Sequence, residues 1–156
     1  MMKKFYILSQ FQNSSKLSKR PRFALLTGIT AAFLLFLNGC CSAEERELEK
    51  TILRNVEASA RKDIETVLKD VDPPLREATR EVLEDLFKKY DLSFRIERCR
   101  VKALAADTAQ VEVVMVTKKV KGPAFRDNRS ITLHTLKKRS DGWKLAGQEI
   151  KKISEL

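Results

Sequence analysis

The spacing of apolar residues changes along this chain. Between Leu48 and Leu68 it is the spacing of a helix. Apolar residues recur every four positions from Leu48 to Leu68, which is typical of one helix face that packs on a core. Ser42 and Glu45 precede this stripe with the spacing of a capping box, in which each side chain binds the backbone amide of the other residue. We therefore predict a helix that begins after Ser42 and runs to about Lys69.

A second helix is predicted after the sequence Asp72-Pro73-Pro74, because proline cannot continue the first one. Asp72 is expected to cap the new helix, and Pro73 suits its first position, where no amide hydrogen is needed. Apolar residues at helical spacing then continue from Leu75 to Tyr90. We expect the second helix to end at about Tyr90.

After the second helix the apolar residues alternate with polar ones, which is the spacing of a β-strand. The alternation changes phase between Ile96 and Cys99, so we predict a β-bulge near Glu97–Arg98. A second strand follows a turn at residues 105–108 and is apolar on both faces around Val114. Such a strand is expected to be central, or to be covered by a helix on one face and by a pocket or partner on the other.

Two further strands complete the predicted fold. A wide loop over Gly122–Asn128 leads to the third strand, and the tight turn Ser140–Gly142 leads to the fourth, in which Gly147 allows another bulge. Two N-terminal helices packed on a curved, four-stranded antiparallel sheet form an α+β layout. We therefore expect one α+β domain over residues 48–156.

Three segments of this layout carry a likeness to a known family: the helix end Leu86–Tyr90, the turn and strand Ala106–Val113, and the closing Asp141–Leu145. They resemble the nuclear-transport-factor-2-like (NTF2-like, SnoaL-like) superfamily and the related cystatin-like cone. The resemblance implies a cone-shaped domain, with a short strand and a third helix that the sequence does not reveal. Because the superfamily contains isomerases, dehydratases and hydrolases as well as non-catalytic binding modules, it leaves the function open.

The first forty residues have the pattern of a signal peptide. A basic leader precedes the 15 uncharged residues Phe23–Leu37. As a helix this run would span about 22 Å, less than the thickness of a bilayer core. Leu37-Asn38-Gly39-Cys40 follows and resembles the lipobox of bacterial lipoproteins. The resemblance implies that residues 1–39 are removed and that the Cys40 sulfur carries lipid, so that residues 40–47 form an anchor and a short stalk.

Two alternatives to a cleaved lipoprotein signal remain open. The apolar run could be an uncleaved membrane anchor, or the basic segment Phe5–Arg20 could belong to an organellar transit peptide. The lipoprotein interpretation places the domain in the bacterial cell envelope, facing the periplasm or the exterior. Position 41 is Cys rather than the Asp that resembles an inner-membrane retention signal, which favours the outer membrane in a bacterium that has one.

The net charge of +10 is divided unevenly along the chain. Residues 40–91 carry 10 bases and 14 acids, whereas residues 92–156 carry 15 bases and seven acids. The C-terminal part is therefore basic, which favours an anionic partner or is simply a solvated, lysine-rich surface. Nucleic acid is not expected as a partner, because no platform of aromatic and basic residues is present and an exported protein rarely meets it.

His134 is the only histidine of the chain and the candidate acid–base residue of a cone enzyme. Asp127 and Glu149 are the carboxylates that could act with it. Each residue also has a structural interpretation. A histidine on a strand face commonly bonds to a neighbour, and Asp127 beside Asn128 commonly shapes a loop.

Three other residues are candidates for a pocket or a partner contact. Trp143 is expected either in the core or as a ligand wall, and Phe125 with Arg126 lies in a polar loop that could cover the cone mouth or touch a partner. Cys99 is expected to be a small buried residue, with a Cys41–Cys99 disulfide as the alternative. No metal or cofactor is expected, because there is one histidine, no ligand cluster and no glycine-rich phosphate loop.

Two functions are therefore predicted from the sequence. The first is a lipid-anchored envelope protein whose non-catalytic domain binds a protein partner or a small apolar ligand. The alternative is an isomerase, dehydratase or hydrolase that uses His134 with a carboxylate, and it requires the two groups to lie within about 3 Å of each other or of one bridging water. A third interpretation rests the basic half of the domain on anionic headgroups.

Overall fold

The computed structural model describes residues 42–156, and within them three helices precede four strands. The helices are α1 (Ala43–Ala60), α2 (Ile64–Lys69) and α3 (Arg76–Lys89), and a short 3-10 turn spans Pro73–Leu75. The strands are β1 (Asp91–Leu104), β2 (Thr108–Lys121), β3 (Asn128–Arg139) and β4 (Gly142–Glu155). The predicted signal peptide and the predicted lipid site Cys40 lie outside the described residues.

α1 begins where the sequence predicts it. The Ser42 amide donates to Glu45 Oε2 at 2.8 Å, and the Glu45 amide donates to Ser42 Oγ at 3.0 Å. These two bonds form the predicted capping box and satisfy two amides that the first turn leaves unpaired. Leu48 and Ile52 of the predicted apolar stripe are then buried in the core.

The prediction of one helix as far as Lys69 is wrong, because α1 ends at Ala60 and α2 begins at Ile64. Lys62 has a φ of +58°, in the left-handed region that a helix cannot contain, and Asp63 caps α2 by accepting from the Thr66 amide at 3.1 Å. The stripe itself explains the break. A step of four residues turns about 40° beyond a full helical turn, so five steps move it through about 200°. One straight helix could not have kept both Leu48 and Leu68 on the same face.

The second predicted helix starts later than expected. Pro73–Leu75 forms the 3-10 turn, and α3 begins at Arg76 without a side-chain cap. The prediction that Asp72 caps this helix is wrong, because the Asp72 carboxylate instead binds Arg139. The predicted end is confirmed, since α3 finishes at Lys89. No helix among residues 42–156 combines the length and apolarity needed to cross a bilayer.

The four strands form one antiparallel sheet in the order β1-β2-β3-β4. The predicted bulge in β1 is confirmed, because the register shifts between Ile96 and Arg98. A shift beside Gly147 confirms the bulge predicted in β4, and another leaves Lys151 as an extra residue of the same strand. β2 is central, as its apolar faces predict. The architecture is the α+β fold expected for a cone of the NTF2-like type.

The core lies between α1 and one face of the sheet, which we call the inner face. α1 packs on this face against β1 and β4. The buried residues of this cluster are Leu48, Ile52, Ala109, Val111, Val113, Leu136 and Trp143. A smaller cluster, made by Ala58, Val67 and Val71, joins α1 to α2 and to the segment before α3. With α2 the described domain has three helices, one more than the sequence predicts.

The opposite, outer face of the sheet has an apolar centre beneath charged side chains. Val114 and Val116 of β2 are 0% and 3% exposed. Arg95 and Arg129 flank Val116 on the neighbouring strands, and both bind Glu97, at 2.9 and 2.7 Å. Long arginine stems can cover apolar surface while their charged ends stay in water. Arginine–glutamate pairs therefore cover the face of β2 that α1 does not reach.

The segment between α2 and α3 is attached to the edge of the sheet at β4. The Leu145 amide donates to Asp70 O at 2.7 Å, and the Asp72 amide donates to Leu145 O at 2.9 Å. The carboxylates of Asp70 and Asp72 are nearly fully buried and bind Arg54 and Arg139. Buried carboxylates need such partners, because an unpaired charge away from water is strongly destabilising.

Candidate functional site

His134 lies on the inner face of β3, opposite Val111, and is partly buried. Its Nε2 atom is 3.0 Å from Thr132 Oγ1, and this hydroxyl donates to Val113 O at 3.4 Å. Nε2 and Oγ1 thus share a hydrogen bond in which the tautomer of the ring decides which atom donates. Burial lowers the pKa of His134 to about 4, because the charged imidazolium loses its hydration. The ring is neutral at neutral pH.

The two carboxylates that the sequence pairs with His134 lie elsewhere. Asp127 precedes β3, and its Oδ1 atom accepts from the Lys119 amide at 2.9 Å, so it shapes the β2–β3 loop. Glu149 lies opposite Leu133, one residue out of phase with His134, and therefore faces the outer side of the sheet. It forms an ion pair with Lys151 at 2.6 Å. The structure does not bring the three residues together.

Trp143 belongs to the core cluster and is 5% exposed. The Lys138 ammonium lies 5.6 Å from the centre of its ring, a distance at which a cation is attracted by the aromatic face. The indole therefore contributes to packing between α1 and the hairpin of β3 and β4.

Phe125 and Arg126 lie in the loop between β2 and β3. The Phe125 ring is 6.0 Å from the Tyr90 ring, tilted by 59°, and Arg126 forms an ion pair with Glu155. Gly122 starts this loop with a φ of +125°, and a Cβ atom added there would lie 2.5 Å from Lys89 O. The loop thus packs closely against the end of α3, which a larger residue at 122 would prevent.

An open groove of about 350 Å³ lies at this end of the domain. It is formed by the α1–α2 turn, the end of α3 and the adjoining ends of β1 and β2. Its floor is apolar, with the side chains of Phe87, Tyr90, Leu92, Phe94 and Val120. Val120 is 70% exposed, an unusual position for a valine in a strand. An open apolar floor of this kind is typical of a surface that binds a ligand or a partner.

A second recess of about 280 Å³ adjoins the groove and shares Lys62, Tyr90 and Asp91 with it. We call the two recesses together the basic-rimmed groove. Their lining contains one acidic residue, Asp91, and five basic residues: Arg61, Lys62, Lys88, Lys89 and Lys121. Lys62 pairs with Asp91 and Lys89 pairs with Asp85. The excess of basic groups gives this end of the domain a positive potential.

Lys62 stands at the centre of the basic-rimmed groove. Its Nζ atom donates to Phe87 O at 2.8 Å and forms the ion pair with Asp91. The hydrogen bond from Lys62 to the Asp91 carboxylate lowers the pKa of that carboxylate. The backbone of Lys62 has the left-handed φ of +58°, which is unfavourable for a residue with a Cβ atom. Lys62 thus occupies a backbone position that glycine or asparagine adopts at lower cost.

Sequence reasoning missed this groove, because segments far apart in the chain form it. The helix end Leu86–Tyr90 carries the family resemblance, and nothing in it indicates a contact with the turn at Lys62. One local signal was present. Val120 interrupts the basic run Lys118–Lys121, and an apolar residue inside such a run near a strand end favours a binding surface over simple solvation.

Within residues 42–156 no three or more His, Cys, Asp or Glu side chains are grouped so as to hold a metal ion. Cys99 is half-buried beside the core cluster, and burial raises the pKa of its thiol to about 11. The thiol is therefore protonated at neutral pH and is a poor nucleophile.

Comparison with solved structures supports the fold. An NTF2-like protein of unknown function from Pseudomonas putida KT2440 superimposes with a TM-score of 0.60 at 14% identity, over 69% of this chain and 85% of that one. A ketosteroid isomerase-like protein from Erwinia carotovora gives 0.54 at 20% identity, over 68% and 93% of the two chains. A Nostoc punctiforme protein with a cystatin-like fold gives 0.58 at 12% identity, over 70% and 91%.

Comparison with protein families is more specific. The Anti-sigma-I factor RsgI9 of Acetivibrio thermocellus is 36% identical over 81 residues, which are 52% of this chain and 12% of that protein. The chain therefore matches only a small part of this curated relative. Residues 50–156 match the family described as "Anti-sigma-I factor RsgI9, C-terminal domain". This match covers all of the described domain except residues 42–49, and the chain belongs to the family of RsgI9 C-terminal domains, with an NTF2-like fold.

Proposed function

We propose that this chain is a lipid-anchored protein of the bacterial envelope whose NTF2-like domain binds a protein partner without catalysing a reaction. The observation that carries the binding role is the basic-rimmed groove, which presents an apolar floor to solvent at one end of the domain. Its width and openness suit a segment of another protein better than a small substrate, which needs enclosure on most sides.

Two observations favour binding over catalysis. His134 bonds to Thr132, and neither Asp127 nor Glu149 is placed to act with it. The enzyme alternative requires His134 and a carboxylate to converge on one substrate, and these three residues do not converge. The family points the same way, because an anti-sigma factor, as its name says, acts on another protein.

The proposed partner is an envelope protein rather than a sigma factor. The matched segment is 12% of the curated relative, so the activity of the whole relative does not transfer with it. A domain held outside the cytoplasmic membrane is also separated from the transcription machinery. We therefore propose that the domain recognises a protein, as the family suggests, and that this protein lies in the envelope with it.

The lipid anchor is supported by the sequence before the domain. A basic leader, an apolar run too short to span a bilayer and a lipobox-like tetrad end at Cys40. α1 begins at Ala43, so the folded domain starts directly after the proposed lipid site. Two or more acyl chains would make the attachment effectively permanent, because each buried CH₂ contributes about 0.8 kcal/mol.

Metabolic labelling with radioactive palmitate tests the anchor. The wild-type chain and the Cys41→Ala variant should both incorporate label and fractionate with membranes, whereas Cys40→Ala should do neither. Equal labelling of Cys40→Ala and wild type would rule out the anchor. The partner is tested separately by photo-crosslinking in intact cells from position 120, in the groove, and from position 104, at the far end of β1. A partner trapped equally from both positions would contradict a role for the groove.

A further inference from the structure

We propose that the occupant of the basic-rimmed groove is an acidic segment of a partner protein that inserts an apolar side chain between Val120 and the end of α3. The inference rests on the proposed function, because it names the chemistry of the partner at the same groove. Charge, shape and position in the domain each support it.

The charge of the lining selects an anionic occupant. Five basic residues and one acidic residue line the two recesses, and the single carboxylate, Asp91, is already paired with Lys62. Lys88 and Lys121 are exposed lysines of this lining, and the charge of Lys121 also acts on Asp91. The five cations outnumber the two carboxylates that pair with them, Asp91 and Asp85, and this excess steers an acidic chain to the site and disfavours a basic one.

The apolar floor of the groove requires the occupant to carry an apolar side chain as well as negative charge. Phe87, Leu92 and Phe94 line the groove together with the exposed Val120, so the basic-rimmed groove also contains apolar surface. A highly charged chain without an apolar group would leave this floor in contact with water. An apolar side chain seated there removes the surface from water, contributing about 25 cal/mol for each Å² buried.

The position of the groove favours a protein over a membrane surface. The groove lies at the C-terminal end of α1, whereas the proposed lipid site precedes its N-terminal end. An 18-residue helix is about 27 Å long, which separates the groove from the point of attachment. A tethered domain thus presents the groove at some distance from the bilayer that holds it, where a protein segment is the available acidic occupant.

Fluorescence anisotropy with two labelled peptides tests the inference on the full chain in detergent. One peptide has a phenylalanine flanked on each side by three glutamates, and the other has glutamines in place of the glutamates. The acidic peptide should bind with a dissociation constant at least tenfold lower than the neutral one. Equal binding of the two peptides, or binding of neither, would overturn the inference.

Matched charge variants locate the site. Lys88→Glu with Lys121→Glu should weaken binding of the acidic peptide at least tenfold, whereas Lys102→Glu with Lys137→Glu should change it less than twofold. All four lysines are exposed, and the two double variants change the net charge equally. An equal loss of affinity in both double variants would mean that the peptide responds only to the net charge of the domain, and would overturn the inference.

Two further measurements separate the floor from the rim and protein from lipid. Val120→Ser should weaken the acidic peptide about fivefold, because it removes apolar surface from a position that tolerates change. Phosphatidylglycerol added to the detergent micelles should not displace the peptide from the groove. Displacement by this lipid that the Lys88 and Lys121 substitutions abolish would identify a lipid site instead. These variants leave Cys40 in place and should not change palmitate labelling. The lipid anchor and the acidic occupant are therefore tested by separate measurements.

Discussion

Asp72 and Arg139 form a two-pronged ion pair across 67 residues of sequence. Arg139 Nε donates to Asp72 Oδ1 at 2.8 Å, and its Nη2 atom donates to Oδ2 at 2.9 Å. Asp72 is 4% exposed, so its charge depends on this partner, while the guanidinium remains partly open to solvent. The pair fixes the start of α3 against the hairpin of β3 and β4.

Loss of this guanidinium should destabilise the domain. Arg139→Ala leaves the buried Asp72 carboxylate unpaired, and we expect the thermal unfolding midpoint to fall by several degrees. Arg139→Lys should recover only part of the loss, because an ammonium cannot make both bonds. Arg126→Ala, which removes an exposed pair with Glu155, is the control and should have little effect. Similar midpoints for Arg139→Ala and Arg126→Ala would contradict the structural role.

His134 should make the stability of the domain depend on pH. Its pKa is about 4 in the folded domain and about 6.5 in an unfolded chain, so between these values the unfolded state binds more protons. The free energy of unfolding should therefore fall as the pH is lowered from about 6.5 to about 4, by up to about 3 kcal/mol.

The matched variant for this prediction is His134→Gln, whose amide can still donate to Thr132. Urea denaturation of both proteins at pH 7, 6, 5 and 4.5 measures the difference, in which shared contributions from carboxylates cancel. The variant should lose less stability than the wild type as the pH falls. Parallel curves for the two proteins would show that the imidazole stays solvated in the fold.

Lys62 should show a conflict between stability and binding. Lys62→Gly relieves the left-handed backbone by about 1 kcal/mol but removes an exposed ion pair and a hydrogen bond to Phe87, so its unfolding free energy should stay within about 1 kcal/mol of wild type. Binding of the acidic peptide should fall. Arg61→Gly is the control for stability only, because Arg61 has a φ of −87° and gains nothing from glycine, but it also lines the groove. A Lys62→Gly variant that binds like wild type would remove this lysine from the site.

Gly122 should tolerate alanine less well than Gly142. Both have positive φ, at +125° and +106°, so alanine strains the backbone at each, by about 1–3 kcal/mol. At Gly142 the added Cβ meets nothing within 4 Å, whereas at Gly122 it would overlap Lys89 O and the Tyr90 ring. Chemical denaturation should therefore show a larger loss for Gly122→Ala. An equal loss of unfolding free energy in the two variants would mean that the loop can move away from α3 without destabilising the domain.

Features fixed by neighbouring residues were predictable from the sequence. The capping box at Ser42, the phase change beside Glu97, the loop that starts at Gly122 and the turn before Gly142 each depend on a few adjacent positions. The family likeness added the NTF2-like fold, which the solved structures bear out.

Features that depend on distant residues were not predictable in the same way. Asp72 has the residue type and position of a cap, and only the approach of β3 shows that Arg139 takes its carboxylate. The break at Lys62 contains no glycine or proline to mark it. The groove draws on three segments that meet only in the folded domain. A single sequence does not reveal such long-range contacts, because each residue involved also has an ordinary local interpretation.

The extra residue Lys151 in β4 bears on how the domain behaves when crowded. β4 closes one side of the sheet, where unpaired backbone groups would invite a strand from another copy. The extra residue Lys151 distorts the ladder at this edge, and Lys152 beside it adds an ammonium group. A strand from another copy would therefore meet an irregular backbone and a positive charge, both of which oppose edge-to-edge pairing.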